Sequence, residues 1–217
     1  MHISLRPEII GTLFGIPISN SLILSLFTAF LLIGGGFLVV RSLKMIPGKA
    51  QNTVETLVEG ILAFMGQALG NKEQAKKFFP LVATIFLFIL FNNWVGVLPG
   101  TGSVGFYEEH NGETSFIPLL RSANSDLNMT LALAVIAVIA THVFGIASVG
   151  FFKHAGRFIN FKVLFKNPIF FFVGILELIS EISKVISFSF RLFGNIFAGE
   201  VLLVVIASLI PYIAPVP

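Results

Sequence analysis

Asn167–Pro211 reads NPIFFFVGILELISEISKVISFSFRLFGNIFAGEVLLVVIASLIP, and this stretch decides the fold. Asn167-Pro168 has the chemistry of a helix start, because Asn suits the N-cap and proline suits the first helical position, where its missing N–H is not needed. No further proline follows until Pro211. The uninterrupted run predicts one helix of about 40 residues, roughly 60 Å long at 1.5 Å per residue. That is about twice the hydrocarbon thickness of a bilayer, so such a helix must be strongly tilted, bent, or partly outside the membrane.

Polar side chains are not scattered along this helix. At 100° per residue, with Glu177 at zero, Asn195 also falls at about 0°, Lys184 at about 340°, Arg191 at about 320° and Ser180 at about 300°. Glu181 at about 40° and Ser187 at about 280° complete an arc of roughly 120°. Glu200 lies apart, near 140°. Arg191 is the costliest of these residues. It sits among Phe188, Phe190, Leu192 and Phe193, and an arginine at the centre of a membrane helix costs at least about 2.5–3.5 kcal/mol on insertion scales. Its guanidinium keeps its proton even where a lysine would lose it. A permanent cation of this kind suits a site that meets a mobile carboxylate. Glu177, Glu181 and Lys184 also read as an ordinary set of i, i+3 and i+4 ion pairs.

Outward from this helix, composition points the same way. Charged residues make up 12% of the chain and hydrophobic residues 55%, whereas a soluble domain carries about 25% charged residues. The 25 Phe against 2 Tyr and 1 Trp suit side chains bathed in hydrocarbon. Three further apolar runs are long enough to span a bilayer: 21–40, 78–98 and 128–152. Between the first two, residues 51–69 place Val54, Leu57, Val58, Ile61, Leu62 and Met65 at helical spacing, with Gln51, Glu55 and Glu59 on another face. That pattern predicts an amphipathic helix lying at the interface. The expected fold is an all-α integral membrane protein in a single domain, 1–217, with three transmembrane helices, one interfacial helix and the long tilted helix 168–210. No cleavable signal peptide is evident, because Arg6, Pro7, Glu8 and Pro17 interrupt the first twenty residues.

The formal net charge of +3 would suggest nucleic acid in a soluble protein. Here the basic residues fall into loops instead: Arg41, Lys44 and Lys49 after the first span, Lys72, Lys76 and Lys77 before the second, and Lys153, Arg157, Lys162 and Lys166 after the third. The loop 100–126 is acidic, with Glu108, Glu109, Glu113 and Asp126 against Arg121. The positive-inside rule then places the N-terminus and the acidic loop outside and the basic loops in the cytoplasm.

The chain has no cysteine, which removes disulfides, thiolate metal sites and cysteine nucleophiles. No metal-ligand spacing, phosphate-cradling loop or nucleophile–base constellation is present, so neither metal nor cofactor is expected. His142, inside the third span, reads either as a helix-packing hydrogen bonder or as a proton carrier. Asn92, Asn93, Asn124, Asp126 and Asn128 gather near the outer interface, where they line a water entrance or form a solvated rim.

The segment Ser189-Phe190-Arg191-Leu192-Phe193-Gly194-Asn195-Ile196-Phe197-Ala198-Gly199-Glu200 closely resembles the signature of subunit a of bacterial F-type ATP synthases. A looser resemblance covers nearly the whole chain, including Pro47-Gly48-Lys49, Asn93–Pro99 and Asn124–Thr130. It implies a non-catalytic stator subunit of a bacterial inner membrane, present in one copy beside a ring of c subunits and b-type stalk subunits. Two offset half-channels would conduct protons to and from the ring. Arg191 would face the ring carboxylate, and Asn195, one turn further, would share that surface. Glu200 would belong to the outer half-channel, and Ser187, Lys184 and Glu177 to the cytoplasmic one, with Asp126 and His142 as further lining. The resemblance also implies a returning membrane helix after residue 217, so the sequence is expected to be truncated before its final helix.

Two other readings stand beside this one. A secondary transporter or ion channel would use Arg191 to bind an anionic substrate, and would need polar residues on several helices. A membrane scaffold would need none.

Overall fold

A computed structural model of the chain describes residues 9–13, 15–98, 105–110, 113–118, 121–156 and 168–209. Within them the chain forms two compact units, 9–123 and 124–209. Arg157, Lys162, Lys166, Asn167 and Pro211, used above to place the last basic loop and the ends of the long helix, lie outside the described residues.

The first unit opens with a short antiparallel hairpin, β1 (Ile9–Leu13) and β2 (Ile16–Ser19), in which Leu13 pairs with Ile16. Gly15 in the connection has φ 80°, a conformation that only glycine adopts without strain. β2 runs directly into α1 (Asn20–Arg41), where the Ser19 hydroxyl caps the helix by accepting from the Leu22 N–H at 3.2 Å. α2 (Lys49–Leu69) ends at Gly70 in the left-handed region, φ 64°. Its Met65 is buried and the helix packs on α3.

α3 (Lys72–Val97) starts at the basic residues rather than at the apolar run. The reason is local: the Asn71 side chain accepts from the N–H groups of Glu73 and Gln74, a complete N-cap seven residues before Phe78. Gly96 of α3 lies so close to Ser122 that a Cβ on it would sit 2.6 Å from the serine Cβ. Between these points the acidic segment is not simply a loop. β3 (Gly105–His110) and β4 (Glu113–Pro118) pair antiparallel, His110 against Glu113.

The second unit holds α4 (Leu127–Val149), the five-residue α5 (Phe151–Ala155) and α6 (Pro168–Leu209). Asp126 caps α4, its carboxylate accepting from the Asn128 N–H at 2.9 Å. α4 stops at Gly150, whose φ of 88° breaks the helix short of Phe152. α6 runs unbroken for 42 residues, as the absence of proline from its interior predicts.

Burial is inverted relative to a soluble protein. Apart from Leu24 and Met65, the buried side chains among the described residues are small or polar, among them Asn20, Ser25, Thr28, Asn92, Thr130 and Ser189, while Phe30, Ile33 and Leu38 are 78%, 73% and 66% exposed. Exposed apolar surface on this scale requires an apolar solvent. Among the described residues four helices are long and apolar enough to cross a membrane: Asn20–Arg41, Lys72–Gly96, Leu127–Val149 and Phe172–Ile206. The chain is an all-α, multi-pass membrane protein.

Candidate functional site

α4 and α6 pack antiparallel. Thr130, near the start of α4, meets Ser189 of α6, their hydroxyl oxygens 3.2 Å apart and buried. Near the other end of α4, His142 Nε2 lies 3.7 Å from Glu181 Oε2. The contact is close because its residues are small: Thr130 and Ala134 are the buried positions of α4, and Ser189 is fully buried on α6. Small residues let membrane helices approach where lipid offers no hydrophobic drive to associate.

This packing fixes the rotation of α6. Ser189 falls at about 120° on the angular scale used above, outside the polar arc. Ser180, Lys184, Ser187, Arg191 and Asn195 are accordingly all exposed, with Glu177 half-buried. Among the described residues Arg191 makes no ion pair, and the centroid of the Phe188 ring lies 6.0 Å from its Cζ. That distance is at the outer limit of a cation–π contact. The polar arc is therefore a surface of the chain rather than an internal network.

The other candidate residues sit elsewhere. Glu200, near 140°, shares the Ser189 side of α6 and is half-buried. Asp126 is buried in its capping role, at the opposite end of α4 from His142. Glu181, on the edge of the arc, receives a 2.7 Å hydrogen bond from Lys184 Nζ through Oε1 and turns Oε2 toward His142. His142 Nδ1 lies 3.2 Å from Nε2 of His154 on α5.

His154, Thr130 and Ser189 stand out only in the structure. No periodicity pairs His154 with His142, because the break at Gly150 folds α5 back against α4. The serine and threonine carry a polar signal too weak to separate them from their neighbours. Among the described residues no cluster of three or more His, Asp or Glu side chains could hold a metal ion.

Fold and site together define a class: a multi-pass helical membrane protein whose longest described helix carries a polar stripe, Arg191 within it, on an exposed face. The sequence matches the family described as ATP synthase A chain over residues 22–216. It is 34% identical over 180 residues to ATP synthase subunit a of Campylobacter jejuni subsp. jejuni serotype O:23/36 (strain 81-176), covering 83% of this chain and 70% of that protein. The subunit a of Campylobacter curvus (strain 525.92) is 36% identical over 181 residues, with coverage of 83% and 70%. That of Campylobacter concisus (strain 13826) is 37% identical over 180 residues, with coverage of 82% and 69%. The chain belongs to the ATP synthase A chain family, subunit a of the F-type ATP synthase membrane sector.

Proposed function

We propose that this chain is the proton-conducting stator subunit, and that the exposed stripe of α6 is its rotor-facing surface. The observation that carries the reading is the orientation of Arg191: it is exposed, without an ion pair among the described residues, on a face turned away from α4. A guanidinium left against lipid would cost at least about 2.5–3.5 kcal/mol. A carboxylate brought to it by a ring of c subunits removes that cost and is itself held ionised, because a neighbouring cation favours the charged form.

In this reading Arg191 holds each arriving carboxyl group ionised during transfer and blocks direct passage of protons between two half-channels. Asn195 shares the rotor surface. Glu200, on the other side of α6, serves the outer half-channel together with Asp126, while Glu177, Lys184, Ser187 and His142 line the cytoplasmic one. Each proton crossing about 100 mV releases about 2.3 kcal/mol, and the offset of the half-channels turns that energy into rotation. The subunit itself performs no nucleotide chemistry. It sits once per complex in a bacterial inner membrane, with b-type stalk subunits alongside, the N-terminus outside and the basic loops in the cytoplasm.

The absence of native cysteine makes a direct test possible. In the assembled complex, Asn195→Cys should form a disulfide with a cysteine placed one turn from the ring carboxylate, whereas Ala134→Cys on α4 should not. Cross-linking from Ala134→Cys but not from Asn195→Cys would refute the assignment of the surface.

A further inference from the structure

α4 carries a single titratable side chain, His142. It does not stand alone in the helix packing. Its Nδ1 faces His154 Nε2 at 3.2 Å, its Nε2 faces Glu181 Oε2 at 3.7 Å, and the two imidazoles meet edge to face with centroids 5.4 Å apart. At 3.2 Å one of the facing nitrogens must carry a proton and the other must accept it. His154 is buried, and its ring rests against Gly145 of α4: a Cβ there would lie 2.6 Å from His154 Cε1 and 2.8 Å from Nδ1. The sequence thus leaves a gap in α4 one turn after His142, shaped to the second ring. His142, His154 and Glu181 also line one open pocket of about 360 Å³, with Ile146, Leu178 and Ile182 as its apolar wall.

We infer that His154, His142 and Glu181 form a proton-exchange relay between water in this pocket and the polar stripe of α6. The inference rests on the proton-conducting reading above and names the groups that serve its cytoplasmic side. In the direction toward the cytoplasm the Glu181 carboxyl passes its proton to His142 Nε2. His142 then gives the proton on Nδ1 to His154 Nε2, and His154 sheds the proton on its own Nδ1 to water. Each ring ends neutral and Glu181 ends as a carboxylate, and the reverse sequence carries a proton inward from that side. The gap from His142 to Glu181 exceeds a hydrogen bond by only about 0.8 Å, within reach of a carboxyl rotation. Of the charged groups on the packed elements, Lys184 is bonded to Glu181 at 2.7 Å, Glu177 lies one turn earlier on α6, and Lys153 precedes His154 on α5. From Glu181 to Arg191 is ten residues, about 15 Å along the helix.

The test uses inverted vesicles containing the assembled complex, stripped of its soluble sector, with proton flux driven by a potassium diffusion potential. In these vesicles the cytoplasmic face is outward, so its pH and buffer are under control. His154→Gln and His142→Gln should slow proton flux about tenfold near pH 8, with little effect near pH 6. Added PIPES, an impermeant mobile buffer, should restore most of the lost rate, because it delivers protons that the missing imidazole no longer collects. Rates are referred to the amount of assembled complex. If His142→Gln assembles poorly, His154→Gln, on a five-residue helix outside the α4–α6 contact, carries the test. Wild-type rates in both variants would overturn the relay, as would an equal loss at every pH that PIPES does not repair, which marks a purely structural pair. Wild-type vesicles that conduct protons no faster than vesicles lacking this subunit would instead remove the conducting reading itself.

Discussion

Thr130 Oγ1 and Ser189 Oγ lie 3.2 Å apart in the packed face between α4 and α6, two residues before Arg191. This small-residue contact decides which way the arginine points. With Ser189 held against α4, the residues at Ser180, Lys184, Ser187, Arg191 and Asn195 are left on the exposed side of the helix. A larger residue at either position would push the helices apart or rotate α6, and the stripe would turn with it.

Size at position 189 should therefore matter more than its hydrogen bond. Ser189→Ala should cost only about 0.5–1.5 kcal/mol, because the Thr130 hydroxyl keeps its 3.1 Å bond to the Leu127 carbonyl. Ser189→Leu should cost about 1–3 kcal/mol through overpacking. Thermal unfolding of the detergent-solubilised subunit, or of the complex, should rank the two variants in that order.

Gly145 should show the same sensitivity for a different reason. Gly145→Ala places a methyl group 2.6 Å from the His154 ring and should destabilise the α4–α5 contact by about 1–3 kcal/mol. Removing the ring should relieve the clash, so Gly145→Ala with His154→Ala should be more stable than the two single effects added together. A double-mutant cycle on the unfolding midpoint measures that coupling.

In the first unit Gly96 faces a harder obstacle. A Cβ there would lie 2.8 Å from the Ser122 Cα, which is backbone and cannot rotate away. Gly96→Ala should destabilise by about 1–3 kcal/mol, and shortening Ser122 to alanine should not rescue it. Protease resistance of the membrane-embedded subunit reads the difference.

Lys184 tests the opposite limit. Its 2.7 Å bond to Glu181 is exposed, and pairs of that kind contribute about 0–1 kcal/mol. Lys184→Gln should leave the unfolding midpoint nearly unchanged, so any loss of proton flux in that variant belongs to function rather than to folding.

Much of this organisation is legible in the sequence. The proline-free run from Pro168 predicts the 42-residue α6, and helical angles alone separate the Arg191 stripe from Glu200. Apolar runs locate the other spans because lipid, unlike water, tolerates no charge along them. The missed features depend on contacts or on single backbone angles. Gly150 reads as one more residue in an apolar stretch until its φ of 88° ends α4 and returns His154 to His142. The β3–β4 hairpin is carried by six-residue strands of mixed polarity. Its only strong cue is the Asn111-Gly112 dipeptide between them, a pairing that favours two-residue hairpin connections. Asp126 invites a channel role by its charge, and the structure adds a capping role that charge alone does not suggest.

The most direct test of the central claim is ATP synthesis driven by an imposed proton gradient in vesicles bearing the complex with Arg191→Ala. If Arg191 is the cation that meets the rotor carboxylate, synthesis falls to background while the complex still assembles and its soluble sector still hydrolyses ATP. Synthesis at the wild-type rate in a fully assembled Arg191→Ala complex would contradict the account.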